Sequence, residues 1–336
     1  MSDKRVLITG AAGYVGSQLG ALLSEAMSVV GVDIQQREVA FPLFVMDICD
    51  AALAELMRAE RITHVVHLAS VVSPGRDRER EYRIDVEGTR NLLDACVSAG
   101  VEHLTLTSSG AAYGYHADNA PWLEETHLLR GNPEFAYSDH KRLVEEMLAE
   151  YRHKHPQLKQ LIFRPCSIIG ATTNSKISEL FSGRAILDPG GHNSPFVFIW
   201  DQDVIRAIEF GVVRSAAGIY NLAGDGALTP AQIAHLLGKP RLRPPVWLLK
   251  LLLGISFKLR LGNVQPAQVM FLQYRPVLLN TSLKEDLGYI PQKTSAETFA
   301  FFAREALGVD VDLTRCTPLQ AELPLVSVAD SAGVEV

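Results

Sequence analysis

Along this chain, short β-rich apolar runs alternate with stretches in which apolar residues recur at helical spacing. Arg5–Thr9, Ser28–Asp33, Leu43–Met46, Thr63–Leu68, Glu102–Thr107 and Leu158–Arg164 read as strands. Between them the spacing predicts a helix through Gln18, Leu19, Leu22 and Leu23, and a second running from an Asp50 cap to about Glu60. A third starts within the mixed charges of 76–83 and continues through Val86, Leu92, Leu93, Ala95 and Cys96 to Gly100, and a fourth carries Leu143, Val144, Met147 and Leu148. Strands and helices in this order specify an α/β fold with a doubly wound parallel sheet and right-handed crossovers.

Past Gly170 the pattern loosens. Helical pieces are expected at Ile177–Phe181, Gln202–Val213, Thr229–Leu237, Val246–Leu261, Thr281–Leu287 and Thr294–Leu307, with short strands near Phe196–Ile199 and Ile219–Leu222. This divides the chain into residues 1–170, a smaller mixed lobe over 171–308 with some pieces returning to the main sheet, and an extended or disordered tail over 309–336. The apolar stretch 246–261 is too short to span a bilayer and is interrupted by Lys250, Lys258 and Arg260. Three readings stay open for it: contact with a membrane surface, the wall of an apolar pocket, or packing on the core or a partner subunit. The last is the simplest.

Composition adds little beyond class. The apolar fraction of 47% and net charge of −6 are those of a soluble globular protein and do not point to nucleic acid. Cys49, Cys96, Cys166 and Cys316 lack metal-ligand spacing, and the N-terminus has no secretory pattern, so a cytoplasmic location is expected. Scattered histidines read as ordinary hydrogen-bonding residues, and no metal is expected. His140 is expected to face away from Tyr137 and Lys141.

The chemistry lies at the strand ends. Gly10, Gly13 and Gly16 follow the first strand and open a helix, an arrangement that lets backbone N–H groups meet a pyrophosphate, although the spacing is G-x-x-G-x-x-G. Asp33 ends the second strand, where a carboxylate binds an adenosine ribose and repels a 2′-phosphate, favouring NAD over NADP. Ser108–Gly114 forms a hydroxyl-rich exit loop. Tyr137 and Lys141 fall four apart on one helix face. Such a pair is either a solvated surface or an acid/base unit in which the ammonium lowers the tyrosine pKa.

These features together resemble the extended short-chain dehydrogenase/reductase family, also called the NAD-dependent epimerase/dehydratase family, over roughly residues 4–308. The resemblance rests on residues 9–16, Asp33, Asp47-Ile48, 67–70, 86–93, 108–114, Tyr137–Lys141, Arg164-Pro165 and 196–204. It implies a Rossmann-like domain and catalytic roles for Ser109, Tyr137 and Lys141. It also implies pyrophosphate contacts at Gly10, Gly13 and Gly16, and dinucleotide contacts at Asp33, Asp47, Ile48, Ala69 and Pro165. A small-molecule substrate and a homodimer are further implications.

Three departures from the family pattern narrow the expectation. Gly110 and Ala111 replace the Asp-Glu pair of family dehydratases. His192-Asn193-Ser194-Pro195 stands where nucleotide-sugar enzymes place an arginine, with Arg275 as a substitute from elsewhere. Asp85 occupies a position where relatives often have Asn. The leading expectation is an NAD-dependent oxidoreductase interconverting a secondary alcohol and a ketone, on an apolar, sterol- or lipid-like substrate. The alternatives are a nucleotide-sugar epimerase using the same triad with transient hydride transfer, and a non-catalytic dinucleotide-sensing protein.

Overall fold

The computed structural model describes residues 4–72, 75–173, 176–262 and 264–321. Of the expected features, Ser73-Pro74 in the loop after Leu68 and residues 322–336 of the tail lie outside them. The main strands are β1 (Arg5–Thr9), β2 (Ser28–Asp33), β3 (Leu43–Val45), β4 (His64–His67), β5 (His103–Thr107) and β6 (Lys159–Pro165). Val6, Leu7 and Ile8 of β1 are all fully buried. A strand covered on both faces is apolar throughout rather than alternating, the pattern of a parallel sheet between helix layers.

Helices α1 (Tyr14–Ser24), α2 (Leu53–Ala59), α3 (Arg78–Tyr82), α4 (Gly88–Ala99) and α5 (Ala136–Lys154) connect them. Asp50 does not cap α2 directly; it accepts from Ala52 N at 2.9 Å in a turn preceding the helix. Between α3 and α4 the backbone widens into a π turn over Arg83–Glu87, a feature the sequence pattern does not show.

The second lobe contributes β7 (Ser167–Ile169), α6 (Lys176–Ser182), β8 (Ile186–Leu187), β9 (Phe198–Trp200), α7 (Asp201–Arg214), β10 (Gly218–Leu222), α8 (Pro230–Leu236), β11 (Arg241–Leu242), α9 (Val246–Lys258), α10 (Met270–Gln273), α11 (Thr281–Glu285) and α12 (Ser295–Leu307). Strand β10 returns to the main sheet beside β6, giving seven parallel strands in the order β10-β6-β5-β4-β1-β2-β3. The order reverses at β1, so a crevice opens between the carboxyl ends of β1 and β4. Leu19 and Leu23 of α1 and Ile205, Ile208 and Val212 of α7 cover one face of the sheet. Leu53, Leu92, Leu93, Val144 and Leu148 of α2, α4 and α5 cover the other.

The lobe has its own core, in which Phe181 meets Phe196, Phe198 and Phe299 edge-on at centroid distances of 5.2, 5.8 and 5.4 Å. Val309, Val311, Leu313 and Cys316 pack against this core, and Leu319 pairs with Ala227. The stretch from 309 to 319 is therefore laid on the lobe, because its apolar side chains cover phenylalanine surface. The simplest expectation for 246–261 is overturned on the core side: no residue of α9 is buried, since the lobe's interior is filled by the phenylalanine cluster.

Candidate active site

The crevice at β1 is built around glycine. Gly10 has φ +69°, and a Cβ there would lie 2.8 Å from Ala69 N. A Cβ on Gly16 would lie 2.3 Å from Gly10 O. Only glycine lets the turn fold back so tightly under α1, whose first turn has no side-chain cap and keeps its N–H groups for an anion. Asp33 accepts from Ala12 N at 3.0 Å and Gln35 N at 2.9 Å, which fixes its carboxylate at the rim of this turn. Arg37, absent from the sequence reading, donates to Ala12 O at 3.3 Å and so stands at the same rim.

Asp47 accepts from Cys49 N at 2.9 Å, and Ile48 is buried beneath Gly88, where a Cβ would come within 2.7 Å of Ile48 Cδ1. Asn91 ties this segment down by donating to Ile48 O at 2.7 Å. Ala69 closes the crevice against Gly10, and Pro165 is buried at the end of β6 opposite Leu222. A tight cradle, an uncapped helix end and a fixed acid at the end of β2 fit a dinucleotide.

Tyr137 enters from the other side. It is the second residue of α5, and Ser138 Oγ donates to Ala111 O at 2.7 Å, tying the helix start to the loop after β5. That contact brings the Tyr137 hydroxyl into hydrogen bonding with Ser109. Lys141 is buried one turn further on and donates to Thr107 O at 3.1 Å, with its ammonium 5.8 Å from the Tyr137 ring centroid. The three residues the sequence singled out thus converge at the carboxyl end of β5.

The electrostatics differ from the expectation. Burial raises the Tyr137 pKa and the Asp85 carboxylate raises it further, while the Ser109 hydrogen bond only partly offsets them. The ammonium is bonded to a backbone carbonyl rather than to the phenol, so the lowering expected from the pair is not produced by this arrangement. Burial lowers the Lys141 pKa, opposed by Asp85 and Glu145.

Asp85 lies in the π turn, almost fully buried, and answers the question left by its departure from Asn. Its Oδ1 accepts from Ser70 Oγ at 2.9 Å and Val71 N at 2.8 Å, and its Oδ2 lies 3.1 Å from His140 Nδ1. His140 does not face away; it reaches the same buried cluster through Asp85. A small cavity among His67, Ser70, Asp85, Thr107 and Lys141 adjoins it. Beneath the site, Ser108 Oγ donates to Glu145 Oε1 at 2.5 Å, Glu145 pairs with Arg164 at 2.6 Å, and Arg164 Nη1 donates to the Tyr113 hydroxyl at 2.8 Å. Glu145 stands four residues after Lys141 on α5, a spacing that could have revealed it.

From Tyr137 a row of rings runs through Phe135, Tyr115 and Phe271, with successive centroids 6.5, 5.5 and 5.6 Å apart. Arg275 then stacks on Phe196 at 3.4 Å and also faces Phe271 at 5.2 Å. Its backbone N–H donates to Ser194 Oγ at 2.9 Å and its Nη1 to Ser194 O at 2.5 Å. Ser194, in the segment where nucleotide-sugar enzymes of the family place an arginine, therefore positions an arginine from elsewhere. The Nε and Nη2 of Arg275 have no hydrogen-bond partner among the described residues, and burial lowers its pKa to about 9.

The chain is similar to known enzymes over most of its length. The UDP-glucose 4-epimerase of Mycolicibacterium smegmatis is 28% identical over 331 residues, covering 88% of this chain and 96% of that protein. The N-acetyl-alpha-D-glucosaminyl-diphospho-ditrans,octacis-undecaprenol 4-epimerase of Escherichia coli O157:H7 is 27% identical over 241 residues, covering 69% and 71%. The crystal structure of Thermus thermophilus UDP-glucose 4-epimerase in complex with NAD shares the fold, with a TM-score of 0.68 at 24% identity and coverage of 90% and 98%. The family profile described as NAD dependent epimerase/dehydratase matches residues 6–223. The chain belongs to that family, as an NAD-dependent enzyme of the extended short-chain dehydrogenase/reductase type.

Proposed function

We propose that the protein is an NAD-dependent epimerase that inverts a secondary alcohol on a diphosphate-linked sugar. One observation carries the choice over a simple alcohol oxidoreductase: Arg275, buried on the substrate side, has two nitrogens without a partner among the described residues. Leaving two nitrogens of a buried guanidinium without acceptors is costly, and the Nε/Nη2 edge of the planar fork suits a phosphate oxygen pair. The epimerases among its relatives support the same reading.

In this account Gly10, Gly13, Gly16, Asp33, Asp47, Ile48, Ala69 and Pro165 hold NAD, with Asp33 selecting it over NADP. The chemistry a bound NAD supplies is reversible hydride acceptance. Ser109 Oγ hydrogen-bonds the reacting sugar oxygen. Tyr137 takes the hydroxyl proton as the carbonyl forms and gives it back when the carbinol is restored on the opposite face. Lys141, held by Thr107 O, binds the nicotinamide ribose and so orients the ring beside Tyr137. The oxidoreductase reading is favoured by one feature, the absence of arginine from residues 192–195.

The test is incubation of purified protein with UDP-glucose, UDP-galactose and their N-acetylamino counterparts, followed by NMR of the sugar and by absorbance of reduced nicotinamide. The account expects epimerised product without net NADH and loss of turnover in Tyr137→Phe. Stoichiometric NADH with a ketone product would establish the oxidoreductase instead.

A further inference from the structure

Helix α9 carries an apolar face that none of the described residues covers. Trp247, Leu251, Ile255 and Leu259 follow one another at four-residue intervals, so they form one row along the helix. They are 68%, 52%, 48% and 62% exposed, and Leu252 and Leu261 beside them are 55% and 78% exposed. Scattered exposed leucines are ordinary, but a contiguous patch of this kind marks a contact surface. Lys250 and Lys258 lie on the adjoining row, and Arg243 and Arg260 flank the two ends.

Between Asp225 and Glu285 the chain has eight lysines and arginines and no acidic residue; Arg241 and Arg243 face Asp188, Lys284 pairs with Asp225 and Arg275 is buried, so the exposed cations on the helix and at its C-terminal end are Lys250, Lys258 and Arg260. An apolar row bordered by long cationic side chains is the pattern of a helix lying in a membrane interface, with leucine and tryptophan below the headgroups and the ammonium groups among anionic phosphates. No helix among the described residues is long and apolar enough to cross a membrane. A self-pairing contact between two copies fits less well. It would set Lys250 and Lys258 against like charges, with no carboxylate in the segment to compensate.

The helix also borders the site. Arg76 donates from Nη2 to Phe257 O at 2.8 Å and to Gly262 O at 2.6 Å, and its guanidinium lies 4.1 Å from the Phe257 ring centroid. Gln265 Nε2 donates to Gly75 O at 3.2 Å. Arg76 belongs to the chain segment that leaves β4 by way of Ala69 and Ser70, at the mouth of the crevice.

We propose that α9 is an interfacial helix that seats the mouth of the active site on an anionic membrane surface. This goes beyond the epimerase reading, and its test does not depend on turnover. The full-length protein is sedimented with vesicles of phosphatidylcholine alone and of phosphatidylcholine containing phosphatidylglycerol, at low and high salt. Trp247 fluorescence is followed against a Trp247→Phe control.

The expected result is binding to the anionic vesicles, a blue shift lost in the control, and weakening by salt. Binding should fall by about tenfold or more in Leu251→Glu/Ile255→Glu and, separately, in Lys250→Glu/Lys258→Glu. All four positions are solvent-facing, so the variants keep the fold, and circular dichroism checks this. Wild-type protein remaining unbound to anionic vesicles would overturn the proposal, as would variants that bind as tightly as wild type. Absence of vesicle binding together with a dimer that Leu251→Glu/Ile255→Glu dissociates would assign the face to a second copy of the chain.

Discussion

Asp85 Oδ2 and His140 Nδ1 lie 3.1 Å apart, with the two side chains 4% and 2% exposed, in the residues that precede Val86 and Lys141. The pair joins the π turn to the helix that carries Tyr137 and Lys141. Burial raises the Asp85 pKa, but His140, Lys141, Val71 and Ser70 together outweigh it and hold the carboxylate below its ordinary value. The same negative charge raises Tyr137.

Asp85→Asn keeps the acceptor for Ser70 and Val71 and removes the charge. The rising, acid-side limb of the pH profile of kcat/KM, where Tyr137 must lose its own proton before it can take the substrate's, should therefore move to lower pH, with the fold retained. Asp85→Ala strands His140 and two donors in the interior and should cost about 3 kcal/mol or more in urea unfolding. A pH profile identical to wild type in Asp85→Asn would remove Asp85 from this role.

Asp33 and Arg37 stand together at the rim of the glycine turn, where the proposed account sets the adenosine ribose of NAD. The carboxylate is fixed by Ala12 and Gln35, and Arg37 stands beside it on Ala12 O. Asp33→Ser removes the repulsion of a 2′-phosphate and leaves the cation. The ratio of NAD to NADP affinities, read by fluorescence titration, should fall by about tenfold or more. An unchanged ratio would show that Asp33 does not face the ribose.

Much of this site was legible because its residues lie at strand ends and at fixed spacings. The buried runs at Arg5–Thr9, Ser28–Asp33 and Glu102–Thr107 needed only local pattern, and Tyr137 and Lys141 are one helical turn apart. Asp85 and His140 are 55 positions apart, and nothing in the local sequence says that a π turn will aim one at the other. Ser194 and Arg275 meet across 81 positions for the same reason. Helix α9 misleads in another way: its apolar composition predicts burial, and only the packed lobe shows that the interior beneath it is already full.

His67 links the site to acid stability. Its ring nitrogens meet Thr9 Oγ1 at 2.7 Å and Thr89 Oγ1 at 3.1 Å, and burial, aided by Lys141, lowers its pKa to about 3. The unfolded chain therefore takes up this proton first. The stability from His67 is fully present above about pH 6.5 and is lost as pH falls toward about 3, at about 1.4 kcal/mol per pH unit. Urea midpoints measured between neutral pH and mildly acid pH should decline in wild type, and less steeply in His67→Gln. Equal slopes would contradict the assignment.

The central claim is that the hydride removed from the sugar is returned to the same carbon while Tyr137 moves the proton. It is tested most directly by incubating the enzyme with UDP-glucose deuterated at C4 and examining the products by NMR and mass spectrometry. The account predicts UDP-galactose with the deuterium retained at C4, and none formed by Tyr137→Phe. A free keto-sugar accompanied by deuterated NADH would contradict it.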